Sequence, residues 1–310
     1  TIGTHVSTGN GVQDLGDNDI IFKGDLQKWK KLANALKLRL ALRAYGAPGA
    51  GWAAGVITKT FNGPFPADEN DNALIPKDNT ITQWASASYG DIWYNFGKGS
   101  DWTVGKAVID FLRNNNDPRL PLYAKPAPGG TVTLYRPDQA NNPEGYDNFP
   151  ARIKYLVDTV LEPATSGDMT FTNRSDSVKI SIPVNKYYIG QPSRFNAQIQ
   201  QFVVFNFFST PAEVIIQKKN EGKKIFPEMV LTTGESYFLR AEAVVRGLAS
   251  GDAQSFFQNG IRYSMKLWGV GDGDISAYLA TAPAQLTGSA AQQLRKIALQ
   301  RWIASYTDGF

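Results

Sequence analysis

Between residues 84 and 102 the sequence reads WASASYGDIWYNFGKGSDW, which holds three of the seven tryptophans, Trp84, Trp93 and Trp102. Tyr89, Tyr94 and Phe96 lie between them, interleaved with serine, aspartate, asparagine, glycine and lysine. The stretch has no clean helical period, so its rings are not set out as one face of a helix. Flat aromatic faces beside amides and carboxylates suit a sugar ring, whose axial C–H groups lie on the face while its hydroxyls project at the edge. Trp84, Trp93, Tyr94, Asn95 and Trp102 are therefore the candidate ligand contacts. Aromatics that fill an interior beneath a long loop have the same composition, and that account stays open at this point.

Catalysis would ask for more. A glycosidase needs two carboxylates about 5–10 Å apart, and Asp91 with Asp101 could be nominated, but nothing in their spacing brings them together. The sequence has no G-x-S-x-G elbow, zinc signature, kinase signature or P-loop. The glycine-rich YGAPGAGWAAG, residues 45–55, follows a predicted helix rather than a strand, so it reads as a loop and not a phosphate cradle. ADENDNA, residues 67–73, begins like a calcium loop, but Ala73 stands where the turn glycine belongs and Asn79 where the bidentate glutamate belongs. Asp17, Asp19, Asp272 and Asp274 read as turn carboxylates. With no cysteine and one histidine in 310 residues, neither a disulfide framework nor a thiolate or histidine metal site is available, so no metal and no cofactor is expected. A net charge of +4 without a long basic run does not point to nucleic acid. No run of 18 apolar residues is present to span a bilayer.

The elements that must position the stretch are helices. Asp25 is a natural N-cap, and Trp29, Leu32, Ala33, Leu36, Leu40 and Ala44 recur on one face of a helix predicted over 25–45. A second helix is predicted from about Val104 to Asn114, where DPRLPLY ends it and Asp117 and Arg119 brace the turn. Residues 123–185, rich in Pro, Gly, Asn and Thr, read as loops and small strands such as TVTLY and SVKISIPV. Residues 232–268 read as a helical hairpin. Thr232 and Glu235 have capping-box spacing, Gly247 and Gly251 mark the turn, and Asp252 caps the second helix. Tyr237, Ala241, Ala253, Phe257 and Gly260 fall where a tetratricopeptide repeat has its aromatic and small residues. After a connector over 269–288, Ser289 and Gln292 make a second capping box for a last helix. Trp29, Trp268 and Trp302 sit at apolar helical positions and are expected in the core.

ESYFLRAEAVVRG, FFQNGIRYSMKLWGV and LRKIALQRWIASYTDGF, together with GDLQKWKKLANALKLRLALR and NNNDPRLPLYA upstream, resemble segments of the SusD/RagB family in the same order. The resemblance implies a mainly α, tetratricopeptide-like helical-repeat scaffold (an α-α superhelix) with loop-rich insertions and a few short strands. It implies a single domain over 1–310: a scaffold helix at 25–45, a loop-rich binding region at 46–231 and C-terminal repeat helices at 232–310. YYIGQPSRFNA, residues 187–197, resembles a family loop, in which Arg194 and Asn196 could bond hydroxyls. The resemblance further implies a non-catalytic nutrient-binding lipoprotein at the outer face of the outer membrane, partnered by a SusC-like TonB-dependent transporter. Family members begin with a secretory signal and a lipid-accepting cysteine, which this sequence lacks, so it is expected to be a fragment without the N-terminal part and the extreme C-terminus, and any membrane association would run through that absent anchor. The alternatives are a carbohydrate-active hydrolase and a helical-repeat adaptor with a peptide in its concave groove.

Overall fold

The computed structural model describes residues 16–77, 103–165, 167, 169–173, 175–193, 204–215 and 226–307. In chain order, helices α1 (Leu26–Ala44) and α2 (Trp52–Phe61) are followed by strand β1 (Ala73–Ile75). Next come α3 (Lys106–Asn114), the one-turn α4 (Leu120–Tyr123), β2 (Ala124–Lys125), β3 (Gly130–Tyr135) and α5 (Pro143–Tyr155). α5 runs into a π-helical turn at Leu156–Val160 and the short α6 (Glu162–Thr165). Strands β4 (Thr170–Asn173), β5 (Ser177–Ile182), β6 (Thr210–Pro211) and β7 (Glu228–Leu231) precede α7 (Thr233–Val245), α8 (Ala253–Leu267), α9 (Asp272–Leu279) and α10 (Ala290–Ala304). These elements form two compact units, Thr1–Lys77 with Phe226–Phe310 and Asp78–Ile225. The fold is mainly α, with short strands, as the sequence predicts.

In the first unit, the Asp25 carboxylate accepts from the amides of Gln27 and Lys28 and starts α1. Leu32, Ala35, Leu38 and Leu42 then bury one face against Ile57 and Phe61 of α2 and Leu239 and Ala243 of α7. α7 and α8 form the predicted hairpin, with Ala241, Phe257 and Ile261 sealed from solvent. Its two helices can approach this closely because a methyl group at Gly260 would lie 2.6 Å from the Phe238 ring, and one at Gly234 would lie 2.9 Å from the Gly260 carbonyl oxygen. Aromatic rings complete the joint: Tyr237 stacks on Tyr263 at 5.4 Å, and the Arg240 guanidinium lies 4.1 Å over Phe256 and 5.3 Å from both Phe61 and Phe65. α8 then holds the connector: Gln258 donates to the Leu279 carbonyl, and Gln254 both donates to Ala284 O and accepts from Leu286 N. Strand β1 pairs antiparallel with β7.

Several local expectations are refined. The Ser289–Gln292 capping box forms in full, but the one at Thr232 forms by half. Thr232 accepts from the Glu235 amide at 3.0 Å, whereas the Glu235 carboxylate is drawn away by Arg39 and Arg301. The loop after α1 is shorter than read, because Trp52 already opens α2. The connector before α10 contains α9, which buries Ile275, Tyr278 and Leu279. Trp268 is core at 7% exposure, but Trp302 is 44% exposed, since the helix turns its Ile297 and Ile303 inward instead.

Asp19 is buried in the turn before α1 at 7% exposure, where its carboxylate accepts from the amides of Ile21, Phe22 and Gly24 and from the Trp29 indole at 2.7 Å. Burial works against its charge, but the indole bond and the three amide bonds together outweigh it and hold the carboxyl at about 2. Its folded value lies below the ordinary 3.8, so its contribution is full above pH 3.8 and is lost as pH falls towards 2. Asp19→Asn is expected to lower stability by about 1.5–3 kcal/mol at neutral pH, the scale of hydrogen bonds to a charged group. The gap between variant and wild type should close in acid; urea melts from pH 7 to 2.5 that keep it constant would refute the carboxylate's role.

In the second unit, β3, β5 and β4 make a three-stranded antiparallel sheet with β5 in the centre, and β2 pairs with β6. Val178, Ile180 and Ile182 of β5 pack on Phe149, Ile153, Leu156 and Leu161 and on the buried Phe207 and Phe208. The helical α5 and the π-turn stand where sequence reads loops, because Pro143 sits in the first turn, where its missing amide costs nothing, and Asn142 caps it by accepting from Gly145 N. At the end of α3, Asp117 and Arg119 form an ion pair with neither side chain exposed. Asp117 accepts from Arg119 N, Nε and Nη2 at 3.0, 2.9 and 2.6 Å, which fixes the turn into α4 as expected.

Candidate functional site

Trp84, Trp93, Tyr94, Asn95 and Trp102, with Asp91 and Asp101, lie outside the described residues, as do Arg194 and Asn196. The structure does show where the chain goes immediately after the aromatic stretch. The Thr103 hydroxyl donates to Gln191 Oε1, Val104 N donates to Ser209 O at 2.8 Å, and Gln191 N donates to Val104 O at 2.9 Å. Lys106 N closes the contact on Gln191 O at 2.7 Å. Residues 103–106 are thus tied, backbone to backbone, to the segment that ends at Gln191.

That segment forms one wall of a cleft of about 480 Å³ in the second unit. Tyr187 and Tyr188 face Arg113 and Asn114 at the end of α3, with Glu162 of α6 and Lys186 at the rim. Gly190 lets the segment lie this close to α3, because a methyl group there would stand 2.4 Å from Lys106 Cα. Arg113 is held by acidic neighbours, 3.2 Å from Asp110 and 3.6 Å from Glu162, and donates to the Tyr188 carbonyl at 3.4 Å. Lys186 Nζ lies 5.3 Å over the Tyr187 ring. Burial pushes the Tyr188 phenol above its ordinary value, so it stays a neutral donor and acceptor at physiological pH.

Two half-buried phenol rings, a primary amide, a guanidinium and one carboxylate around an open cleft can stack on a ring and bond the groups at its edge. Sequence reading missed Arg113, Asn114, Glu162, Tyr187 and Tyr188, naming Arg194 and Asn196 from the same loop instead. The usable signal was the Tyr-Tyr pair two residues before Gly190, a polar-tipped aromatic pair in a non-helical segment. Among the described residues no group of three or more His, Cys, Asp or Glu could hold a metal ion, and no helix is long and apolar enough to cross a membrane.

The helical hairpin is a tetratricopeptide-like frame, and the loop-rich unit carries a cleft lined by aromatic and polar side chains. Residues 6–310 match the SusD-like family described as starch-binding, associating with the outer membrane, and the chain belongs to this family. The fold is shared with solved structures. One, a chitin-binding protein, is 23% identical, with 93% of this chain and 51% of the other aligned at a TM-score of 0.61. A SusD homologue from Bacteroides fragilis is 21% identical over 93% of this chain and 54% of its own, with a TM-score of 0.62. An outer membrane protein from Bacteroides vulgatus, whose description connects it with nutrient binding, is 19% identical over 94% and 55%, with a TM-score of 0.65. The chain therefore spans about half the length of these structures. No curated protein matches it.

Proposed function

We propose that the chain belongs to a non-catalytic protein of the outer-membrane cell surface that captures a glycan and passes it to a SusC-like TonB-dependent transporter. The observation that supports capture most directly is the Tyr187–Tyr188 cleft, whose ring faces and edge donors match the two kinds of surface a sugar presents. The aromatic stretch 84–102 is the natural second contributor, since the chain emerges from it at Thr103 already bonded to Gln191, three residues beyond Tyr188. Binding without turnover fits the cleft's chemistry: Glu162 is its one carboxylate among the described residues and lies 3.6 Å from Arg113, whereas a glycosidase works with a pair. The family's description supports both the glycan and the membrane setting.

The transporter is the part of the proposal that a single experiment can decide. Extraction of the native protein from its membrane in mild detergent, followed by affinity capture, should bring down a TonB-dependent outer-membrane protein in near-equal amount. Repeated recovery of the protein without such a partner, under conditions that preserve other outer-membrane complexes, would remove the transporter from the account.

A further inference from the structure

The first unit contains a second cleft, of about 310 Å³, with a different chemistry. Arg39 of α1 and Arg301 of α10 meet there over Glu235, which sits in the first turn of α7. The carboxylate engages only one edge of each guanidinium. Arg39 Nη2 donates to Glu235 Oε2 and to the Val230 carbonyl, and Arg301 Nη2 donates to Glu235 Oε1 at 2.9 Å. Arg301 Nη1 approaches Glu242 only to 3.8 Å, beyond hydrogen-bond distance. Among the described residues, Arg39 Nη1 and Arg301 Nε and Nη1 have no hydrogen-bond acceptor, and none of the three is sealed from solvent. Two planar forks thus present spare N–H groups at the wall of a cleft where Glu235 is shared between two guanidiniums, Glu242 stands 3.8 Å from one of them and Arg43 adds a third positive charge to the lining. Beside them stands Trp302, with nearly half of its surface open.

We propose that this cleft binds a carboxylate-bearing saccharide: a uronate unit whose carboxylate is taken by the spare donors of Arg39 and Arg301 while its ring lies on the Trp302 indole. Arginine forks match a carboxylate in geometry as well as charge, and the α7 N-terminus adds its positive dipole end on the same side. A uronate joins a flat C–H face to a carboxylate at the ring edge, which is the arrangement of indole and guanidinium here. The volume lies at the small end of ordinary ligand sites, about 300–1,000 Å³, and suits one or two sugar units. None of these residues belongs to the Tyr187–Tyr188 cleft, so either assignment can fail alone.

The test titrates the 310-residue chain calorimetrically with trigalacturonate and, as the neutral counterpart, galactotriose. The acid should bind and the neutral sugar should bind at least tenfold more weakly; the difference should shrink as salt rises to about 1 M, where charges are screened beyond about 3 Å. Arg301→Gln and Trp302→Ala should each cost tenfold or more in affinity for the acid. If Arg301→Gln disturbs the fold, Trp302→Ala still decides the matter, because nearly half of that residue is exposed and circular dichroism will report an intact protein. No binding of trigalacturonate, equal binding of galactotriose, or unchanged affinity in a folded Trp302→Ala chain would overturn the site. Tighter binding of hexaglutamate than of trigalacturonate would replace the saccharide with an acidic peptide.

Discussion

Alanine at Trp84, Trp93 or Tyr94 is expected to weaken glycan binding about five- to 150-fold, with the helical circular dichroism unchanged. The range follows from the roughly 1–3 kcal/mol by which truncating a contacting aromatic lowers affinity at an interface. Each ring, if it supports one sugar face, loses that face entirely when cut back to a methyl group. The measurement is calorimetric titration of the best glycan from a panel, with Tyr188→Ala as a fourth variant to ask whether the described cleft serves the same ligand. Asp91→Asn and Asp101→Asn should alter no turnover, because none is expected in the wild type. Unchanged affinity in all three folded aromatic variants would withdraw the stretch as a binding site, and loss of fold would assign those rings to the interior. Steady release of reducing ends, abolished by either aspartate substitution, would put a hydrolase in place of a binding protein.

Arg119→Ala should be the most damaging single change in the second unit. Its guanidinium and the Asp117 carboxylate are wholly enclosed, with 0% of either side chain exposed. Removing one partner strands a buried charge, at a cost of about 3–5 kcal/mol. For a unit of this size that is a fall in melting temperature of roughly 6–20 °C. Asp117→Ala with Arg119→Ala should cost less than the sum of the two single changes, since the double variant leaves no orphan charge. Calorimetric melting of the four proteins checks this. A shift of only a degree or two in Arg119→Ala would mean that water reaches the pair.

The parts of the fold that were legible in the sequence are those written in local chemistry. The α7–α8 hairpin could be read because its caps, its turn glycines and its apolar period all lie within one continuous segment. Glu235 shows where that stops. Its spacing from Thr232 announces a capping box, but Arg39 and Arg301 come from distant parts of the chain and outbid the local amide. Trp302 has the spacing of a core residue and half the exposure of a free one, since the period of α10 does not say which side its neighbours occupy. α5 was hidden by Pro143, Gly145 and Pro150, each a breaker by composition and each tolerated in its actual position. The cleft was hidden for the same reason as Glu235: Arg113, Glu162 and Tyr188 come from three separated segments, and only the tertiary fold brings them together.

The pairing of β1 with β7 bears on how the protein is made. Leu74 opposes Met229, yet the chain between them comprises the whole of Asp78–Ile225, roughly 150 residues. Closing a loop of that length costs about 2.4 kcal/mol more than closing one of ten residues, by about four doublings at 0.6 kcal/mol each. During synthesis α1 and α2 can pack on each other through Leu32, Ala35, Ile57 and Phe61, but the part of that cluster supplied by Leu239 and Ala243 of α7 is still unmade. Whatever condenses first in the intervening segment shortens the search. The side of the α1–α2 pair that meets α7 therefore waits longest for its cover, and that apolar stripe is what a chaperone would have the most reason to hold.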